Sequence, residues 1–497
     1  MKIAFVYPGI AHIGYGSWAA AIAAGTSDAE CVYGLSLLAA VVAERGHAFE
    51  LLDMRQLRCE EELKERLRRS DAQVVGISVQ TPSFDIACRV AEIAKSLGKT
   101  TIGGGIHATV APEEFEPLAC WDHVVSGEGE KALPDLLDKL AASDGSAKMI
   151  AGSITEDLDQ LPTPYLFPEW GAKYRTLYAL EVARGCPGRC TYCVSGEKKF
   201  YQRMRFRSVD HVLREVEQAH ARYKFTNLLF LDVNATTRRK HFHAILHELL
   251  RRHPDLGVIV QERSDGFDEE TARLLSGFRS CQVWFGFESM SPRMLAIINK
   301  ETNPDEARAA VALCRRFSLS VAANVLIGVP GETDDDIRQT YEFIAEIRPA
   351  VISCNILSPF PGTKVHDECV ARGDLMDLDS HERYELRSVL ERGIIRSIDY
   401  RKVRVWHRLF YWTVGLHRPA QPAPAGPRPR VATRLRRAAT DRARALARGV
   451  HFLTRQLREP GPATASGNPE RVRDWVRFGG LIARLAAAQL GRRTRAG

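Results

Sequence analysis

Short apolar runs alternate with amphipathic stretches of helical period along most of the chain, and this alternation leaves few folds open. In the first part the runs are Lys2–Tyr7, Phe49–Leu52, Val74–Val79, Thr100–Gly103 and His123–Ser126, with helical stretches near Tyr33–Arg45, Phe84–Leu97 and Ala132–Leu140. Buried strands joined by helices read as βαβ units around a parallel, doubly wound sheet. A Pro-containing stretch from Leu161 to Pro168 reads as a linker. Six further runs follow it, Tyr178–Val182, Asn227–Leu231, Gly257–Gln261, Val283–Phe287, Val321–Ile327 and Val351–Leu357, enough for a partial or full α/β barrel. From His381 to Leu416 the pattern is helical, and Pro419–Pro429 is Pro/Ala-rich, as in an extended linker. The expected division is 1–145, a linker 146–175, a barrel 176–380, a helical extension 381–418 and a tail 419–497.

Such sheets bind ligands beyond the carboxyl ends of their strands. In the first block those ends hold Pro8-Gly9, Ser78 with Thr81, Gly103-Gly104-Gly105, and Gly127 with Gly129, small residues that let a ligand approach the backbone. Ile3–Ser27 carries no Asp, Glu, Lys or Arg, yet Pro8, Gly9, Gly14 and Gly16 break it, unlike the apolar helix of a secretory signal. No run is long enough to predict a transmembrane helix. Eleven scattered cysteines, an odd number, suit a reducing cytoplasm better than a disulfide framework.

One group of cysteines is not scattered. The run Arg184-Gly185-Cys186-Pro187-Gly188-Arg189-Cys190-Thr191-Tyr192-Cys193 places three thiols in a Gly/Pro loop directly after a strand. Three thiolates at this spacing can hold a 4Fe-4S cluster and leave one iron open to a ligand. A zinc site would usually pair two separated knuckles, and the sequence has no second one.

This loop, at the end of the first strand of an α/β barrel, resembles the radical S-adenosylmethionine superfamily. The resemblance implies that Cys186, Cys190 and Cys193 hold the cluster, whose open iron binds S-adenosylmethionine, and that Tyr192 lies against the adenosyl group. Phe230-Leu231-Asp232, Gly286-Phe287-Glu288-Ser289 and Ile327-Gly328-Val329-Pro330-Gly331-Glu332-Thr333 fall where the superfamily contacts S-adenosylmethionine, which makes Asp232, Glu288, Ser289 and Gly328 candidates. Two departures stand out: Val233 follows Asp232 where the family often has a second carboxylate, and Asn324 replaces a related glycine.

The N-terminal block resembles the Rossmann-like cobalamin-binding domain of such enzymes, through Leu37–Ala40, Gly46-His47, Leu52-Asp53, Gly76–Ser78, Gly103–Thr109 with Pro112–Glu114, and Ser126–Glu130. Candidate cobalamin contacts are Ser78, Thr81, Gly104, Gly105, His107, Gly127 and Glu128. Other cobalamin proteins use an Asp-x-His-x-x-Gly loop to supply the lower cobalt ligand. Here the loop reads Ile10-Ala11-His12-Ile13-Gly14-Tyr15, so His12 has no partner to orient it, and cobalt is expected without a protein histidine below it.

The pairing implies a methyltransferase acting on an unactivated carbon of a natural-product or lipid substrate: a 5′-deoxyadenosyl radical activates the carbon and methylcobalamin supplies the methyl group. Such an enzyme needs a flavodoxin- or ferredoxin-like electron donor. The alternatives are a non-methylating cyclase, oxygenase or rearrangement enzyme, a cobalamin sensor without turnover, or a tRNA or protein methylthiotransferase. The last would need cluster cysteines in the N-terminal domain, and Cys31, Cys59, Cys88 and Cys120 form no convergent motif.

The net charge of +8 is an average over unlike parts. From Arg401 onward there are 22 Lys and Arg against 4 Asp and Glu, leaving 47 against 57 in residues 1–400. In Arg473–Leu490 helical periodicity puts Arg473, Arg477 and Arg484 opposite Trp475, Phe478, Ile482 and Leu485. With its aromatics on the apolar face, this helix suits an anionic membrane surface or the acidic body better than nucleic acid. The enzyme is thus expected to be cytoplasmic, with room for peripheral membrane contact.

Overall fold

Ile3, Ala4, Phe5 and Val6 are buried on both faces of the strand Lys2–Tyr7 (β1), as they must be when helices cover both sides of a sheet. The computed structural model describes residues 1–8, 32–57, 59–196, 203–417, 480–482 and 484–485. His12 and most of the basic tail lie outside these residues. Beside β1 lie Ala48–Asp53 (β2) and Val74–Ser78 (β3), followed by Thr100–Gly104 (β4), His123–Ser126 (β5) and Met149–Ala151 (β6). All pairs are parallel, in the order β2-β1-β3-β4-β5-β6. The chain reverses its direction of growth between β1 and β3, which opens a crevice at their carboxyl ends.

The sixth strand falls within the stretch read as a linker. It is three residues long and carries no burial alternation, so nothing in its pattern separates it from a loop; pairing of Val124 with Met149 places it at the sheet edge. The rest of that stretch is packed as well. Phe167 and Trp170 are buried, and Tyr165 and Phe167 stack edge-on against Phe49. Proline here marks the absence of regular structure, not exposure. The Trp170 indole N–H donates to Asp53 Oδ2 at 3.1 Å, and Arg55 and Lys173 neutralise that carboxylate.

The second sheet contains Tyr178–Leu180 (β7), then, after the small antiparallel pair Ala183–Arg184 (β8) and Arg205–Phe206 (β9), Asn227–Phe230 (β10), Gly257–Glu262 (β11), Ser280–Glu288 (β12), Ser320–Ile327 (β13) and Val351–Ile356 (β14). Its six strands are parallel and follow chain order from β7 through β10 to β14. β7 and β14 are its edges, so this is the partial barrel that six runs predict. Capping fixes its helices. Asn303 and Thr333 each close a capping box, with Glu306 and Asp336 respectively.

The helical extension covers one edge of this sheet. Helix Tyr400–His417 buries Val405, Trp406 and Phe410, its Trp406 indole donates to Asp334 Oδ1 at 3.0 Å, and the hydroxyls of Tyr341 and Thr413 lie 2.8 Å apart. Of the tail, Ile482 is buried in the same core, with Leu481 and Leu485 packed beside it. Part of the apolar face expected to meet a membrane is therefore taken up by the body itself. No helix among the described residues is long and apolar enough to cross a membrane.

Trp170 ties the first sheet to the barrel, so Trp170→Ala is expected to destabilise the chain by about 3–5 kcal/mol, read as a lower urea midpoint.

Candidate functional site

A cavity of about 440 Å3 lies between the carboxyl ends of the two sheets. One wall is formed by Ser78, Gly103–Gly105 and Gly127–Glu130 at the ends of β3, β4 and β5; the other by Glu181, Arg184, Gly185, Asp232 and Val233 from the barrel. Phe5, Leu35, Leu38, Ile102 and Leu133 make its interior apolar. Of the residues expected to contact cobalamin, Ser78, Gly104, Gly105, Gly127 and Glu128 meet here. Gly105 and Gly127 have φ of +102° and +101°, and a Cβ on Gly105 would stand 2.8 Å from the carbonyl oxygen of Val79, so backbone geometry alone requires glycine there. Gly104 differs. Its Cβ would approach only Val125 O, at 3.8 Å, so a side chain would grow into the cavity.

Thr81 and His107 are not among the residues lining this cavity. Both are buried, with Thr81 Oγ1 3.2 Å from His107 Nδ1, and the His107 ring packs against Phe84, Phe115 and His381. The reason is helical phase: Thr81 opens the turn Thr81–Ser83, His107 is the second residue of the helix Ile106–Val110, and the two side chains meet beside Phe84 at the start of helix Phe84–Ser96.

The cysteine loop leaves the barrel where the cavity meets it. Gly185 takes φ +98°, and a Cβ on Gly188 would lie 3.4 Å from Cys186 Sγ and 4.0 Å from Cys190 Sγ, so two thiols converge over a glycine that leaves room between them. The Cys193 amide donates to Cys190 O at 3.1 Å, turning the third cysteine back toward the pair, and all three are free thiols. Burial pushes the Cys190 thiol up, while Lys300 and Arg263 pull it down. Three thiols in one loop, with Lys300 and Arg263 beside Cys190 and Arg263 also beside Cys186, suit an anionic metal–sulfur centre.

The other five barrel candidates divide by environment. Tyr192 is close to both Cys190 and Glu288, whose charges add to burial in raising its phenol. Glu288 is 8% exposed, ends β12 in the left-handed region at φ +60°, and lies 3.5 Å from Lys300 Nζ. Non-glycine residues held in this region cluster at functional sites, and the register of β12 against β13 slips at the same point. Asp232 accepts amide hydrogen bonds from Ala183, at 2.5 Å, and from Val182, at 3.1 Å, anchoring the start of the cysteine loop. Ser289 Oγ lies 3.3 Å from Thr340 Oγ1, while Gly328 takes φ +76° and donates to Glu332 Oε2 at 2.7 Å. The contacts of Ser289 and Gly328 shape the backbone behind the strand ends.

Charged groups missing from the sequence expectations close the site. Arg184 reaches Glu130 at 2.7 Å, Glu181 at 2.9 Å and Glu128 at 3.5 Å, and Arg205 grips both oxygens of Glu128 at 2.6 and 3.0 Å. Glu128 therefore faces the cavity as the acceptor of a seam between domains. Arg184 lies two residues before Cys186 and could have been singled out by position; Lys300 and Arg263 follow no motif and come near the cysteines only through folding.

Residues 180–344 match the family model of the radical SAM superfamily, and residues 29–137 match that of the B12 binding domain. The chain thus carries a B12-binding domain followed by a radical SAM domain. It is 28% identical, over 369 residues, to an uncharacterized methyltransferase of Pyrococcus horikoshii, covering 70% of this chain and 80% of that protein. It is 27% identical to the anaerobic magnesium-protoporphyrin IX monomethyl ester cyclase of Rubrivivax gelatinosus, covering 65% of this chain and 63% of that one. Among solved structures, the radical S-adenosylmethionine methyltransferase TsrM of Kitasatospora setae, with tryptophan substrate and a S-adenosylmethionine analogue bound, superposes with a TM-score of 0.64 at 19% identity, covering 86% of this chain and 92% of that one.

Burial pushes the Asp232 carboxyl up to about 7, against the pull of its two amide hydrogen bonds. Its proton is kept on folding where the unfolded chain, with the ordinary value of 3.8, has lost it. Stability should therefore fall as pH rises from about 4 to about 7, and Asp232→Asn should flatten this part of a pH–denaturation curve.

Proposed function

We propose that the chain is a cobalamin-dependent radical S-adenosylmethionine methyltransferase acting on a carbon of a small-molecule substrate. The observation that carries this reading is the single cavity shared by the glycine-lined strand ends of the B12-binding domain and the start of the cysteine loop. When bound, the cluster with S-adenosylmethionine supplies hydrogen-atom abstraction, and cobalamin supplies a transferable methyl group.

The residues divide the work of binding and positioning. Cys186, Cys190 and Cys193 would hold the cluster, with Lys300 and Arg263 offsetting its negative charge. Glu288 offers a carboxylate to the ribose hydroxyls or the methionine amine of S-adenosylmethionine, and the Tyr192 ring closes that side. Asp232 positions the loop by holding the amides of Val182 and Ala183. Ser78, Gly104, Gly105 and Gly127 leave a groove for the cobalamin nucleotide, and the apolar interior excludes water from the reacting carbon. Thr81 and His107, which turn away from the cavity, are best read as support for that wall. Val233, half exposed at the rim, puts an apolar side chain where a second carboxylate would bind cations, which favours an uncharged substrate surface there. Reducing equivalents would come from a flavodoxin- or ferredoxin-like donor. We assign peripheral contact with anionic lipid only to the arginine face of the tail, since Ile482 is already buried.

Anaerobic incubation of the reconstituted protein with reductant and S-adenosylmethionine should yield 5′-deoxyadenosine, and with its substrate a product heavier by one CH2. Cys190→Ala should abolish both the cluster absorbance and deoxyadenosine formation; retention of either would defeat the assignment. A product of unchanged carbon count would instead point to a cyclase-type outcome. Gly104→Leu should lower cobalamin affinity about tenfold or more while leaving the cluster intact, as a side chain of that size fills the groove.

A further inference from the structure

Beside Phe84, outside the cavity lining, side chains from two distant parts of the chain converge. His107 comes from helix Ile106–Val110, Glu114 from the 3₁₀ turn Pro112–Glu114, and His381 opens the 3₁₀ turn His381–Tyr384 of the C-terminal extension. Their ligand atoms all lie within 4.8 Å of one another. His381 Nε2 is 2.6 Å and His107 Nε2 3.6 Å from the same oxygen, Glu114 Oε2. Two ligands of one tetrahedral ion bound at about 2.0–2.2 Å stand about 3.3–3.6 Å apart, the spacing of His107 and Glu114, while the His381–Glu114 hydrogen bond would open by about 1 Å to admit an ion.

The outer nitrogens of both rings are also held. Thr81 Oγ1 lies 3.2 Å from His107 Nδ1, and Asp85 Oδ1 lies 3.0 Å from His381 Nδ1, while Asp85 Oδ2 accepts the His381 amide at 2.7 Å. With Nδ1 of His107 protonated toward Thr81, its Nε2 lone pair faces the carboxylate, and an ion would replace the proton that His381 Nε2 shares with Glu114. A histidine fixed through one nitrogen by an oxygen acceptor and presenting the other is how metal-binding imidazoles are oriented. His107 makes the case sharper. Its ring is fully buried, and its Nε2 has no hydrogen-bond partner. A lone pair aimed at a carboxylate 3.6 Å away is costly unless a cation lies between them.

We propose that His107, Glu114 and His381 bind a divalent zinc-type ion, which staples the C-terminal extension to the B12-binding domain. Two imidazoles and a carboxylate, without a thiolate, form a donor set that zinc accepts and that leaves a fourth position for water. None of the three residues lines the cofactor cavity. The proposal is independent of the reaction carried out in the barrel.

The test uses the protein loaded with cluster and cobalamin, so that the cluster cysteines are occupied and iron and cobalt are counted separately from zinc. After treatment with a chelator and titration with zinc chloride, elemental analysis of the gel-filtered protein should show one zinc per chain. His381→Ala and Glu114→Gln should each weaken zinc binding by about tenfold or more, with cobalamin and cluster content unchanged as the check on folding. Zinc should also raise the unfolding temperature of the parent protein and not of either variant. Absence of stoichiometric zinc, or zinc retained undiminished in both variants, would overturn the proposal. Absent zinc would mean that the three side chains share a proton as an ion pair, with His381 as the imidazolium, and undiminished zinc would place the ion elsewhere.

Discussion

Arg205 and Arg184, both rooted in the cysteine-loop region, close on Glu128 and Glu130 at the end of β5, and the geometry of the whole site depends on this seam. The two arginines are largely buried, as are their acidic partners. Where water is scarce, removing one partner leaves an uncompensated charge, so the pairs are maintained together or not at all. The seam fixes the distance between two strand-end surfaces that would otherwise be separate binding sites on separate domains. A reaction in which one cofactor would activate a substrate carbon and another would supply its methyl group needs that distance held closely, since reacting atoms must approach within about 3–3.5 Å.

Much of this was legible in the sequence because it is encoded locally. Each of the eleven apolar runs is a strand, and the cysteine spacing needs only a short loop to bring its thiols together. The elements that escaped have no local signature. Met149–Ala151 is too short to show a period, and Tyr165, Phe167 and Trp170 pack although their neighbours are prolines. Thr81 and His107 sit one turn past their strand ends, where the phase of the following helix, not the strand, decides which side a side chain faces. Arg263 reaches the cysteine loop from the end of β11 and Lys300 from beyond helix Pro292–Ile297, a proximity that only the tertiary fold creates.

The carboxylates show how one residue type takes different roles in one site. Asp232 is spent on two amides, Glu128 on two guanidiniums and the Thr155 amide, and Glu288, in a strained conformation beside a single lysine, retains the most free acceptor capacity. Sequence position made them equivalent strand-end acids. Their partners separate anchoring from recognition.

The second sheet ends at two unpaired edges, β7 and β14. In a closed barrel, strand number and stagger dictate the radius, leaving no freedom to adapt. An open ring has no such hoop, so its girth depends on whatever wedges the gap, and the wedge can change without disturbing a single ladder hydrogen bond. Here helix Tyr400–His417 leans on the β14 side, with the Tyr411 hydroxyl accepting the Cys354 amide at 3.3 Å. Lengthening or shifting that helix would retune the size of molecule admitted while leaving the catalytic floor in place.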